Sequence, residues 1–94
     1  MPKDSPPQIT LYSKSGCHLC DIAKERIENV RRQTHFELNI IDITTDPDLF
    51  ERYQERIPVV FINNKEAYVY RVSEKGLLKK LGAQRPWWKR LWGR

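Results

Sequence analysis

The chain has 94 residues, with 17 Lys and Arg against 12 Asp and Glu, a length that suits one compact domain and is too short for two. The net charge of +5 is uneven: residues 1–78 come out at −1, while residues 79–94 carry six basic residues and no acid. A nucleic-acid-binding face across the body of the domain is therefore disfavoured, and the longest apolar run, the six residues Ile57–Ile62 with a proline inside, is far short of the ~20 that span a membrane.

Residues 1–7 lack an apolar signal core and read as a disordered lead, which makes the cytoplasm the default location. Ile9-Thr10-Leu11-Tyr12 is a short β-rich run, broken by Ser13–Gly16. From Leu19 the apolar residues Ile22, Ala23, Ile27 and Val30 follow with helical spacing, so a helix is expected over about Cys17–Gln33. Phe36, Leu38 and Ile40 alternate with polar residues, and Ile41 and Ile43 complete a second strand. Asp46 and Pro47 are an N-cap and a first helical residue for a short helix carrying Leu49, Phe50 and Tyr53. Ile57–Ile62 reads as a buried strand entered through Pro58, Asn63-Asn64-Lys65 as a hairpin turn, and Ala67–Val72 as the return strand. Ser73 caps a last helix with Leu77, Leu78 and Leu81 inward and Gly82 as its stop.

The order is β-α-β-α-β-β-α. Its first half requires a right-handed crossover and a parallel strand pair, and its last two strands form an antiparallel hairpin. A four-stranded mixed sheet with helices on both faces satisfies both, which is an α/β fold.

The two cysteines, Cys17 and Cys20, lie within one helical turn. A disulfide closing so short a loop restrains the unfolded chain little, so this spacing points to redox or metal chemistry. Cys17 falls at the start of the helix, where backbone N–H groups lack partners and the helix dipole favours an anion. Thiolate is the attacking species in disulfide exchange, so the expectation is that Cys17 titrates below the ordinary ~8.5 and attacks, while Cys20, one turn on, resolves the mixed disulfide. Lys14 would add positive charge beside the thiolate. Zinc is the competing use of a C-x-x-C pair, but a structural site needs four ligands. Only His18, between the cysteines, and His35, beyond the helix, are further candidates, so no metal site is assigned. Pro58 could simply be a strand-edge proline or follow a cis bond, and the residues alone leave both open.

The run Tyr12-Ser13-Lys14-Ser15-Gly16-Cys17-His18-Leu19-Cys20, followed by a helix and then by Gln54-Glu55-Arg56-Ile57-Pro58-Val59-Val60-Phe61-Ile62, resembles the glutaredoxin family over about residues 8–82. The resemblance implies a thioredoxin-like fold, a cis Pro58 beside the cysteines, and a dithiol oxidoreductase acting on protein or glutathione mixed disulfides. It further implies a substrate groove formed by Tyr12, His18, Gln54, Ile57, Pro58 and Ser73, in which the Ile57 backbone pairs with an extended thiol peptide. Lys14 and Gln54 match positions that contact the glutathione carboxylates. No tightly bound cofactor is implied, and glutathione is the candidate reductant. Typical glutaredoxins carry a Gly-Gly turn before the last helix; here that region reads Tyr70-Arg71-Val72-Ser73-Glu74, and the residues between the cysteines are His-Leu rather than Pro-Tyr. The resemblance is therefore to a divergent branch.

Residues 83–94 form a basic tail holding all three tryptophans. Wound as a helix, Trp87, Trp88, Leu91 and Trp92 share an arc of about 140° with Lys89, Arg90 and Arg94 outside it. Residues 86–94 suit contact with a membrane surface or a protein partner, an apolar patch of the domain itself, or disorder. Two non-enzymatic alternatives stand beside the oxidoreductase: a thioredoxin-fold binding module docking through this tail, and a dimeric metal or cluster carrier using the cysteines.

Overall fold

The computed structural model describes residues 6–82; the expectations for the first five residues and for the tail lie outside the described residues. In chain order the elements are β1 (Gln8–Ser13), α1 (His18–Arg31), β2 (Glu37–Asp42), a single 3-10 turn (Ile43–Thr45), α2 (Pro47–Tyr53), β3 (Val59–Ile62), β4 (Lys65–Val69) and α3 (Glu74–Gly82). They form one four-stranded sheet in the order β2-β1-β3-β4. β1 runs parallel to β2, with Leu11 opposite Ile40, and antiparallel to β3, with Leu11 opposite Val60; β3 and β4 are antiparallel.

Strand alternation divides the core. Ile9, Leu11, Val60 and Ile62 point to one face and meet Ala23, Ile27 and Val30 of α1 and Leu77 and Leu81 of α3. On the other face Val59 packs with Ile43, Tyr53, Ile57 and Cys20, flanked by Tyr12 and Phe61. Tyr12 stacks on Tyr53 at 4.9 Å and meets Phe61 edge-on at 5.5 Å, the two geometries aromatic quadrupoles favour.

The expected caps form. The Asp46 carboxylate accepts from the Asp48 N–H at 2.9 Å, with Pro47 opening α2, and the Ser73 hydroxyl accepts from the Gly76 N–H at 3.0 Å. Three expectations need correction. Ile43 leaves the strand and starts the 3-10 turn, because Asp42 takes the Thr44 N–H at 2.9 Å and halts the ladder. Ile57 and Pro58 precede β3, their peptide bond being cis. The return strand spans Lys65–Val69 rather than Ala67–Val72. Asn63 and Asn64 both adopt positive φ, 50° and 69°, which makes a two-residue turn and brings Lys65 opposite Ile62. At the other end Tyr70, φ 71°, turns the chain out of the sheet.

One helix position has a testable consequence. Ala at an exposed helix site is favoured over Gly by about 1 kcal/mol, but a Cβ on Gly76 would collide with the Tyr68 hydroxyl. Gly76→Ala should therefore bring no gain in urea unfolding alone, and should be better tolerated in a Tyr68→Phe background, by no more than about 1 kcal/mol because Ser73 still crowds the added methyl. Additive effects of the two substitutions would refute the collision.

Candidate functional site

The cysteines sit where β1 hands over to α1, at the end of the sheet where β1 finishes and β3 begins. Gly16, φ 79°, makes the turn that only a residue without a Cβ adopts easily. Cys17 is the N-cap of α1, one position before the first helical turn to which its spacing assigned it. Its sulfur accepts the Cys20 N–H at 3.2 Å, so an N–H that the helix leaves without an internal partner is aimed at the Cys17 Sγ.

The two sulfurs differ in exposure. Cys17 is half-buried, whereas Cys20 is 3% exposed, and both are free thiols. Burial, aided by the hydrogen bond with Cys17, pushes the Cys20 thiol up to about 12, against a weaker backbone hydrogen bond from Lys14. One cysteine is thus partly exposed, and the other is buried and held protonated.

The remaining expected residues fall into two sets. Ile57 and Pro58 are buried and join the cysteines: Ile57 packs in the same cluster as Cys20 and Cys17, and the Pro58 carbonyl accepts the Tyr70 N–H at 2.8 Å. Lys14 is exposed and contacts the cysteines through its backbone, its carbonyl accepting the Cys17 N–H at 3.3 Å. Its charge acts on Asp42, whose carboxyl is held below the usual range chiefly by the Thr44 hydroxyl and N–H. His18 is exposed on the first turn of α1. Tyr12 is turned into the aromatic cluster, Gln54 is the exposed C-cap of α2, and the Ser73 hydroxyl is taken up by its cap. Among the described residues, no group of three or more His, Cys, Asp or Glu is placed to hold a metal ion. Likewise, no helix there is long and apolar enough to cross a membrane.

Two features escaped sequence reasoning. Tyr70 is a strut: its N–H donates to Pro58, and its hydroxyl donates to the Glu55 carbonyl at 2.7 Å. Arg26 reaches from α1 to the Val72 carbonyl at 2.8 Å, fastening the same segment from the other side. Nothing in a Y-R-V tripeptide announces a left-handed tyrosine; the loss of the expected glycines was the only local sign.

A cysteine pair at a helix start and a cis Ile57-Pro58 bond, on this sheet order, define a protein of the thioredoxin fold. Chloroplastic thioredoxin z superposes with a TM-score of 0.68 over 86% of this chain and 80% of its own, at 15% identity. Residues 8–82 match the model of the glutaredoxin-like domain family (DUF836), and the chain belongs to that family. Similar chains include an uncharacterised protein of Mycobacterium tuberculosis, 28% identical over 78 residues, 78% of this chain and 80% of that one. A Nitrosomonas europaea protein solved in solution is 27% identical, with a TM-score of 0.70 over 85% of this chain and 96% of its own.

Proposed function

We propose that this protein is a dithiol thiol–disulfide oxidoreductase that reduces protein or glutathione mixed disulfides. The observation that carries this reading is the asymmetry of the pair: a half-buried Cys17 whose sulfur accepts the Cys20 N–H at 3.2 Å, beside a Cys20 that is fully buried. In the reaction the Cys17 thiolate attacks a substrate disulfide, forming a mixed disulfide and expelling one substrate thiolate. Cys20 then loses its proton and attacks the Cys17 sulfur. The second substrate thiol leaves, and the Cys17–Cys20 disulfide remains. The substrate gains two electrons and the protein gives them up; an external thiol such as glutathione restores the dithiol. Reductases of this kind work in a reducing compartment, and the cytoplasm is the location that fits.

The role of Pro58 is to close the floor beside the sulfurs. Ile57, just before it, has no backbone hydrogen bond among the described residues, which suits pairing with an extended substrate backbone. The test uses the prereduced chain and one equivalent of oxidised glutathione or a small aromatic disulfide. Mass spectrometry should show loss of two hydrogens and a peptide linking Cys17 to Cys20. Persistence of both thiols under these conditions would overturn the reading.

A further inference from the structure

Three large apolar side chains are exposed among the described residues: Leu19 at 41%, Ile40 at 45% and Tyr70 at 46%. Ile40 stands alone on the edge strand β2, but Leu19 and Tyr70 line one groove. It is an open trough of about 170 Å³ between the first turns of α1 and the segment after β4, lined by Leu19, Ile22, Ala23, Arg26, Tyr70, Arg71 and Val72. Neither cysteine lines it, but its Tyr70 wall is bonded to the Pro58 carbonyl, next to Ile57, which packs in one cluster with Cys17 and Cys20.

Its walls are held. Tyr70 is pinned at its N–H by Pro58 and at its hydroxyl by Glu55, and Val72 is tied to Arg26. A preformed apolar trough loses little entropy when a side chain enters. Its charged lining residues have one sign: Arg26 and Arg71 and no acidic residue line it, and neither arginine is in an ion pair among the described residues. The neighbouring carboxylate, Glu74, is engaged by Asn29 at 3.1 Å. Asp21 lies about 200° around the helix from Leu19, on the opposite face.

We propose that this trough selects protein substrates: it receives a bulky apolar side chain next to the attacked cysteine, while Arg71 takes up an acidic residue beyond it. The proposal rests on the dithiol reading above and specifies its substrate class. The occupant is an extended, acidic, disulfide-bearing segment of another protein. Its backbone would lie along Ile57 and its apolar side chain between Leu19 and Tyr70.

The test compares single turnovers of the prereduced chain on disulfide-linked dimers of three pentapeptides: Glu-Leu-Cys-Leu-Glu, Lys-Leu-Cys-Leu-Lys and Glu-Gly-Cys-Gly-Glu. Flanking charges alter the reactivity of the peptide disulfides themselves, so each rate constant is divided by that of dithiothreitol on the same peptide. At low ionic strength the acidic leucine peptide should be preferred over the basic one by about tenfold, and less so in high salt. It should also exceed the glycine peptide several-fold. Arg71→Glu, at an exposed position, should cancel or invert the charge preference. A normalised acidic-to-basic ratio near one, a ratio untouched by Arg71→Glu, or equal rates for leucine and glycine peptides overturns the docking proposal while leaving the dithiol reading in place. Failure of the small aromatic disulfide to react at all would remove both.

Discussion

Cys20→Ser should convert the protein into a trap, accumulating one mixed disulfide per chain at Cys17, whereas Cys17→Ser should reduce exchange to the rate seen without protein. The asymmetry of the two sulfurs demands this contrast. Cys17 is partly exposed and its sulfur receives an N–H, so it can attack alone, and without Cys20 the bond it forms persists. The Cys20 thiol is buried and pushed up to about 12, so by itself it neither meets a substrate nor carries charge at neutral pH. In the Cys17→Ser chain, Cys20 should resist iodoacetamide at pH 8 and become labelled when urea unfolds the domain. The same burial fixes a sign for stability. The folded chain keeps the Cys20 proton at pH values where the unfolded chain, near the ordinary 9.0, has lost it. Stability should therefore fall as pH rises from about 9 toward 12. Equal labelling of Cys20 in folded and unfolded protein, or equal trapping by both serine variants, would contradict this division of roles.

Leu77→Ala should cost about 2–5 kcal/mol in urea unfolding, and Leu78→Ala about 1 kcal/mol or less. The two leucines are neighbours on α3 with the same helix propensity, so the difference isolates burial. Leu77 is fully buried against Ile27 and Val30 of α1 and the β1–β3 face, while Leu78 packs only at the margin of that cluster. A domain of this size has a total stability of about 5–15 kcal/mol, so the first substitution removes a large share of it. The measurement is the shift of the urea midpoint at constant slope. Equal losses at the two positions would show that α3 does not present this face to the core.

Much of this molecule was legible residue by residue. The periodicity of Leu19, Ile22, Ala23, Ile27 and Val30 located α1, and the structure buries the last three while leaving Leu19 exposed. That exception is informative, because the apolar stripe continues past the end of the core into the site. The Asp46-Pro47 cap, the Ser73 cap and the Asn63-Asn64 turn are local hydrogen-bonding devices, and each forms where its residues stand. The limits of β4 were not legible. The stretch Ala67–Val72 has a strand-like composition, but the positive φ of Tyr70 ends the ladder, and that φ is set by partners at Glu55 and Pro58, far away in sequence. Ile40 resembles a core residue in the same way, yet β2 is an edge strand and leaves it open.

The sequence by itself determined the chemistry that depends on near neighbours: two sulfurs one turn apart, a helix starting beneath the first, and a family pattern surrounding them. Geometry within a turn follows from φ, ψ and the spacing of residues, so it can be read without knowing the rest of the chain. Only the tertiary structure decided which sulfur is buried, that Ile57 packs with the pair just before a cis Pro58, and that Leu19 and Tyr70 line one trough. Those facts depend on residues dozens of positions apart being brought together by the sheet. Desolvation, charge and shape are properties of such assembled surroundings, not of any one segment.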